Sequence, residues 1–173
     1  KVFLLSVGPE EAARTTLREG LAMGADEAIL VSTNYSYIFD PTIVIKALKY
    51  TIEKIVGDFD LVLGGEFSED LYQGVVCAGL AAELNVPFIS SATHIDMVEG
   101  RLLVERELED CVEILEATPP VVVSVTREIN QPRIPTTFQI MKVPLTKVKI
   151  LSPENVGVPA LKKTDGLSVM LMN

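Results

Sequence analysis

The feature that most constrains this fold is a regular alternation of short apolar runs with segments of helical periodicity. Between the runs, apolar side chains recur about every 3.6 residues, which is the period of a helix packed by one face. Runs that are apolar throughout are typical of strands buried on both faces of a parallel sheet. The order β-α-β-α-β-α-β therefore predicts an α/β fold with a mainly parallel sheet flanked by helices. The predicted strands are Val2–Val7, Ala28–Val31, Leu61–Leu63 and Val86–Ile89.

Capping residues mark where the helices begin and end. Pro9 suits the first position of one helix, and Gly24 ends it. Asp40 followed by Pro41 predicts the start of a second helix, because aspartate caps free amide groups and proline is tolerated at the first helical position. A third helix is expected over residues 70–84.

The second half of the chain predicts antiparallel structure and a change of organisation. An added antiparallel hairpin is expected over Thr93–Leu108, turning at Glu99–Gly100. The run Val121–Val125 has the strongest preference for a strand. We interpret residues 1–150 as one α/β domain and residues 151–173 as a C-terminal arm or tail.

Composition bounds the classes of function. A chain of 173 residues with 48% apolar residues suits one soluble domain with its own core. The net charge of −9 argues against nucleic-acid binding, which needs clustered Lys and Arg. No apolar run reaches the roughly 20 residues that a membrane span needs. No signal peptide is evident, and free thiols fit a reducing cytosol, so a cytoplasmic protein is expected.

Residues with the chemistry of a metal or catalytic site are sparse. Cys77, Cys111 and His94 are too isolated in sequence for a Cys/His metal site, and no disulfide is expected. The acids over Glu105–Asp110 are interpreted as a solvated sheet face. There is no Ser/His/Asp set and no Walker loop, so no catalytic residues are assigned and the chain is not predicted to be an enzyme.

Glycines at two predicted strand ends suggest a ligand site. In doubly wound sheets, ligands bind outside the carboxyl ends of the strands. The sequences Ser6-Val7-Gly8-Pro9 and Leu63–Ser68 follow two such strands. Glycine lets a ligand approach the backbone closely, and the amides of the following helix attract an anion. The same glycines would also suit tight strand-to-helix turns without any ligand.

Several motifs occur in the order and spacing of one known family. Ser6–Pro9 followed by Ala22–Asp26 is similar to the SxGP…AMGAD signature of electron transfer flavoprotein β subunits. Asp60–Gly65 resembles the DLVL-x-G strand of that family, and Gln73-Gly74 resembles its Q-x-G helix start. The matches are collinear over residues 6–143 and include Arg106–Leu108, Val121–Val123, Asn130–Arg133 and Ile140–Lys142.

The resemblance implies a Rossmann-like nucleotide-binding fold related to the adenine nucleotide α-hydrolases. It implies a bound AMP, or FAD shared with a partner subunit. The implied partner is an electron transfer flavoprotein α-like subunit, with acyl-CoA-type or other flavin dehydrogenases as electron donors. Carried over by motif, the cofactor-binding residues would be Val7 and Gly8 at the adenine and ribose, and Gly65, Ser68, Gln73 and Gly74 at the phosphate loop.

The sequence departs from the family pattern at three places. The family's N-terminal strand has no counterpart before Lys1, the phosphate loop is short, and the C-terminal arm is reduced. The short loop carries Glu66, Glu69 and Asp70, which would repel a phosphate. If that strand is absent, its neighbours expose unpaired edges, so assembly with another chain is expected. We predict that the basic segment Arg133–Lys149 makes this contact, extending over the partner rather than folding back.

Three functions remain compatible with the sequence. The first is an electron transfer flavoprotein β-like subunit that transfers electrons through a bound flavin. The second is a stand-alone, homo-oligomeric adenine-nucleotide-binding module of the stress-protein type. The third is a divergent relative that has lost the nucleotide and keeps only a role in assembly.

Overall fold

The computed structural model describes residues 1–33, 40–68 and 72–156. Within these ranges the helices are α1 (Glu10–Met23), α2 (Pro41–Thr51), α3 (Val75–Leu84) and α4 (Thr137–Lys142). The strands are β1 (Phe3–Gly8), β2 (Glu27–Ser32), β3 (Leu61–Gly65), β4 (Phe88–Val98), β5 (Arg101–Glu107), β6 (Val112–Ala117), β7 (Val121–Val125) and β8 (Val148–Leu151). A short π-type turn, Ile52–Val56, continues α2. None of these helices is both long and apolar enough to cross a bilayer.

The strands form two sheets rather than one. A parallel sheet has the order β1-β2-β8, and a mixed sheet has the order β3-β7-β4-β5-β6. The α/β class with helices on the sheets is confirmed, but the four predicted parallel strands are divided equally between the two sheets. A local apolar pattern identifies a buried strand without specifying its neighbour, and so the division could not be predicted.

Strand β2 shows why a continuous apolar run is buried on both faces. Successive side chains of a strand point to opposite faces of the sheet. Ala28 and Leu30 pack against Leu17 and Leu21 of α1, together with Val148 of β8. On the other face, Val31 packs against Ala47 of α2, with Val7 and Ile43 at the border of that cluster.

Helices α2 and α3 pack together at a glycine. A Cβ atom at Gly79 of α3 would collide with the Cδ1 atom of Ile45 of α2. Cys77 and Ala81 of α3 cover Val122 in the mixed sheet, while α2 covers the parallel sheet. The pair of helices therefore links the two sheets.

The predicted hairpin is confirmed, and its first strand is longer than expected. β4 begins beside β7 in parallel and continues into an antiparallel pairing with β5. Glu99 and Gly100 make the turn with φ angles of 50° and 79°. Positive φ at both central residues is the geometry of the tight turn that suits the twist of a hairpin.

A bulge in β4 marks the change from parallel to antiparallel pairing. The register shifts between Ile89 and Ala92, and Ser91 lies there with a φ of 56°. Its backbone N–H donates to Ser124 Oγ at 3.2 Å, and its Oγ donates to Glu66 Oε1 at 2.6 Å. Buried Ser124 on β7 and Glu66 at the end of β3 thus hold the bulge from two neighbouring strands.

The prediction that Arg133–Lys149 extends away from the domain is wrong. This segment folds back as α4 and β8, and β8 pairs in parallel with β2. Arg18 of α1 donates from Nη2 to the carbonyl oxygens of Ile140 and Val143, each at 3.0 Å. The helix starts at a capping box formed by Thr136 and Gln139. The prolines, which suggested an extended chain, instead flank the helix.

Only the first part of the predicted arm 151–173 is described, over residues 151–156. Leu151 belongs to β8 and pairs with Val31, and a short 3₁₀ turn follows at Pro153–Val156. Residues 157–173 lie outside the described residues, as do the first two residues, 70 and 71, of the helix expected over 70–84. The described part of that helix begins later than predicted, at Val75.

We predict that Ser124→Ala lowers the free energy of unfolding by about 1–3 kcal/mol, because the Ser91 amide loses its acceptor inside the protein. Urea unfolding followed by circular dichroism measures this. Thr146→Ala removes an exposed hydroxyl and should change the stability by less than about 0.5 kcal/mol. Equal stability of Ser124→Ala and the parent chain would contradict the role given to Ser124.

We also predict a difference in hydrogen exchange between inner and outer strands. β2 and β7 are paired on both sides, whereas β1 and β3 each stand at the edge of a sheet. Amides of β2 and β7 should therefore exchange more slowly than those of β1 and β3. β6, the other edge of the mixed sheet, is the internal control and should exchange like β3. If the amides of β1 and β3 were as well protected as those of β2, the prediction that these two strands are open edges would be wrong.

Candidate functional site

The two predicted halves of the ligand site lie at the ends of edge strands in different sheets. Val7 and Gly8 end β1 of the parallel sheet, whereas Gly64 and Gly65 end β3 of the mixed sheet. Val7 is half-buried and packs with the cluster under α2. Gly8 is buried, and its carbonyl oxygen accepts from the N–H of Thr33 at 3.0 Å. Only backbone groups of this pair are therefore suited to contact a ligand.

The neighbouring residues Gly64 and Gly65 are glycines for different structural reasons. A Cβ atom at Gly64 would collide with the Sγ atom of Cys77, so this glycine lets α3 pack on β3. At Gly65 the nearest atom to an added Cβ is the carbonyl oxygen of Phe67 at 3.8 Å, which is an ordinary contact. Gly65 is exposed and leaves open backbone at the end of the strand.

The remaining predicted residues lie together in the loop between β3 and α3. Ser68, Gln73 and Gly74 are all exposed. The carbonyl oxygen of Ser68 accepts from the N–H of Tyr72 at 2.9 Å. A Cβ atom at Gly74 would lie 2.8 Å from the carbonyl oxygen of Glu66, so only glycine allows this close approach of the two ends of the loop.

The helix that follows Ser68 begins five residues later than the predicted residue 70. The helix begins at Val75, and Gly74 is its N-cap without a side-chain hydrogen bond. Tyr72 has a φ of 50°, which is incompatible with a helix at that position. The first amides of α3 thus follow Gln73 and Gly74 directly. Gly65 ends β3 and adjoins the loop that contains Ser68, Gln73 and Gly74, whereas Val7 and Gly8 end β1 in the other sheet.

The sequence of this loop carries a net negative charge. Between Gly64 and Gly74 the sequence has three carboxylates and no Lys or Arg. Glu66 is held by the hydroxyl of Ser91 at 2.6 Å. Burial raises the pKa of the Cys77 thiol, so this group stays protonated and neutral at neutral pH. Among the described residues of this loop, the groups available to a ligand are backbone groups, hydroxyls and the carboxylate of Glu66.

Sequence reasoning missed the aromatic residues of the loop. The rings of Phe67 and Tyr72 stack with their centroids 5.4 Å apart and an interplanar angle of 19°. Phe67 is 52% exposed and Tyr72 is 74% exposed. The available signal was the presence of two aromatic residues in a loop that is otherwise, apart from Leu71, composed of glycine, acids and polar residues.

The other groups considered in the sequence have no site geometry. His94 contacts Asp96 at 3.1 Å on the exposed side of the hairpin. Cys77 and Cys111 are free, the first buried and the second exposed. In the described part of the chain no group of three or more His, Cys, Asp and Glu side chains is arranged to hold a metal ion.

A second surface feature lies near the C-terminal end of α1, away from the strand ends of the candidate site. An open cavity of about 180 Å³ is lined by Ala22, Met23, Arg133, Ile134, Pro135 and Gln139. It lies between the C-terminal end of α1 and the chain that enters α4. Beside it, the side chains of Ile134, Phe138 and Met141 are 90%, 66% and 72% exposed.

Comparison with known proteins bears on this fold and loop. A family model described as electron transfer flavoprotein domain matches residues 1–152. The chain is 36% identical over 159 residues to an electron transfer flavoprotein subunit beta of Thermoanaerobacterium thermosaccharolyticum, a match that covers 91% of this chain and 60% of the relative. It is 36% identical over 147 residues to the corresponding subunit of Megasphaera elsdenii, covering 82% and 54%.

A third relative, the electron transfer flavoprotein subunit beta of Mycobacterium leprae, is 35% identical over 157 residues, covering 91% of this chain and 58% of the relative. The chain thus spans about three fifths or less of the length of these relatives. The resemblance predicted from the collinear motifs is confirmed, and the chain belongs to the electron transfer flavoprotein family.

Proposed function

We propose that the chain acts as an electron transfer flavoprotein β-like subunit, which pairs with an α-like subunit and transfers electrons through a bound flavin. The observation that carries this proposal is the family match over residues 1–152 together with relatives that are all named subunit beta. The protein would catalyse no reaction of its own, and a cytoplasmic setting is part of the proposal. The stand-alone stress-protein alternative has no support among these relatives.

The proposed ligand is AMP or FAD at the carboxyl ends of β1 and β3. When bound, a flavin supplies the redox chemistry, and the protein supplies binding and orientation. Gly65, Ser68, Gln73 and Gly74 would hold the ligand on the β3 side, and the backbone at Val7 and Gly8 would face it from β1. The fit is supported by the open backbone at Gly65 and by the amides of α3 that no side chain caps. The carboxylates of the loop act against this fit, because they repel the phosphate groups of the ligand.

The contact with a partner chain is proposed at the outer face of α4. Arg18 holds the inner side of this helix through the carbonyls of Ile140 and Val143. The outer side presents Phe138 and Met141 to solvent, and exposed Ile134, which precedes the helix, lines the cavity described above. Large apolar side chains exposed together mark interaction surfaces. Lys142 lies with Nζ 4.3 Å from the Phe138 ring centroid and adds a positive charge to a chain with a net charge of −9.

We predict that Gly65→Leu weakens the binding of AMP and FAD by tenfold or more, equivalent to about 1.4 kcal/mol, because a side chain would occupy the open backbone at the end of β3. Isothermal titration calorimetry measures the affinity, and mass spectrometry of released nucleotide identifies any ligand that copurifies. Leucine adds no charge, so the effect is steric. Thr15→Leu on the exposed face of α1 is the matched control and should bind as the parent does. Unchanged affinity in Gly65→Leu would show that the ligand does not bind at this loop.

We predict that Met141→Ala and Phe138→Ala each weaken binding of the partner by about 1–2 kcal/mol, since both remove apolar area at the centre of the proposed contact. Pull-down and calorimetry with a coexpressed α-like subunit, and separately with an acyl-CoA-type flavin dehydrogenase, identify which partner uses this face. Met97→Ala removes an exposed methionine from the hairpin and serves as the matched control. If neither partner loses affinity in the α4 variants, the contact lies elsewhere.

A further inference from the structure

We propose that the outer face of α4 and the cavity beside it bind an acidic segment of the partner protein, with a carboxylate at Arg133 and apolar side chains against Phe138 and Met141. The inference rests on the proposed function, because it concerns the partner contact proposed at α4. It adds the chemistry of the partner, namely a peptide segment in which acidic and large apolar side chains lie next to one another.

The segment that contains α4 has a charge opposite to that of the whole chain. Between Glu128 and Glu154 the sequence has no Asp or Glu, although the chain has a net charge of −9. The cations of this segment are Arg133, Lys142, Lys147 and Lys149, and all of them are exposed. A basic segment on an acidic protein attracts a negatively charged partner at this place and disfavours a cationic one.

The two cations nearest to α4 have no carboxylate partner within the described ranges. Arg133 and Lys142 make no ion pair there, and Lys142 lies over the Phe138 ring instead. Arg133 also donates no hydrogen bond to a described residue, and a guanidinium has five N–H donors that can bind a carboxylate through two parallel hydrogen bonds. Ion pairs elsewhere in the described chain are made by Lys1, Arg14, Lys49, Arg101, Arg106 and Arg127.

The cavity that Arg133 lines has the size of a site for a protein side chain. Its volume of about 180 Å³ is below the roughly 300–1,000 Å³ of pockets that enclose small-molecule ligands. Arg133 is the only charged residue among the described residues of the lining, and Met23 and Ile134 supply apolar walls. A side chain with a carboxylate at its end and methylene groups behind it matches this combination.

The apolar residues beside the cavity favour a protein segment over a phosphate-bearing ligand. Phe138 is 66% exposed and Met141 is 72% exposed. A polyphosphate or a nucleic-acid backbone would leave this apolar area in water, whereas the apolar side chains of a peptide would bury it. Arg18 fixes the helix that carries both residues through the carbonyls of Ile140 and Val143. The surface therefore presents a cation and apolar side chains together on a helix that is held in place.

The test is fluorescence anisotropy of the 173-residue chain with two labelled peptides, one of alternating leucine and glutamate and one with glutamine in place of glutamate. We expect the glutamate peptide to bind more tightly, with a smaller difference at high ionic strength because ions screen the attraction. Arg133→Gln should weaken binding of the glutamate peptide by about two- to fivefold, as expected for the loss of an exposed ion pair, and leave the glutamine peptide unchanged. Arg133→Lys keeps the charge and should restore part of the affinity.

Lys46→Gln is the matched control. It removes a single positive charge from an exposed residue of α2, and it should leave the binding of both peptides unchanged. Equal binding of the glutamate and glutamine peptides by the parent chain would overturn the inference. An equal loss of glutamate-peptide binding in Lys46→Gln and Arg133→Gln would also overturn it, because the effect would then come from net charge alone.

The same variants, measured with the coexpressed α-like subunit and with the flavin dehydrogenase, separate this inference from the contact itself. If Phe138→Ala weakens a partner while Arg133→Gln changes neither its affinity nor the salt dependence of binding, the acidic chemistry is wrong and the contact at α4 stands. If neither variant weakens a partner, the contact and the inference both fail. Light scattering that shows self-association of the chain, abolished by Arg133→Gln, would assign the face to a second copy and overturn the inference.

Discussion

The packing of α2 against α3 is the contact on which the rest of the structure depends. The two sheets share no strand pairing within the described residues. The two halves of the candidate site lie at the carboxyl ends of their edge strands, β1 and β3. Helix α2 covers the parallel sheet and α3 covers the mixed sheet, and the helices meet where Gly79 makes room for Ile45. The relative position of the two strand ends is thus set through a helix–helix contact. Any ligand that spans both strand ends depends on that contact.

The end of β3 and the loop after it contain three glycines with separate structural roles. Gly64 makes room for Cys77, Gly65 leaves open backbone, and Gly74 allows the close approach to the Glu66 carbonyl. Glu66 in turn connects the loop to the bulge of β4 through Ser91. The carboxylate of Glu66 therefore takes part in holding the hairpin and adds negative charge at the end of β3.

The two surfaces proposed as sites for a ligand and for a partner have opposite character. The strand-end loop is acidic and contains aromatic rings and glycine. The outer face of α4 is apolar, with Lys142 beside Phe138. Arg18 anchors α4 to α1, and β8 joins it to the parallel sheet beside β2. The proposed partner surface is therefore held against α1 and β2 and is not a free arm.

The sequence by itself determined the elements that depend on local patterns. The apolar run of β2, the Asp40 cap of α2, the end of α1 at Gly24 and the turn at Glu99–Gly100 all follow from side chains within a few residues of one another. The family also followed from the sequence, because collinear motifs are a property of the chain alone. These features need no knowledge of which segments become neighbours.

Only the tertiary structure decided which segments become neighbours. The division of the strands into two sheets, the return of residues 137–151 onto α1 and β2, and the bond between Ser91 and Glu66 join residues far apart in the chain. The separation of Val7 and Gly8 from the loop of Gly65 and Gly74 has the same origin. Such contacts arise because apolar faces and backbone donors must all be satisfied at once in a close-packed interior. A local pattern shows that a residue must be buried or bonded, but the partner is chosen by the packing of the whole chain.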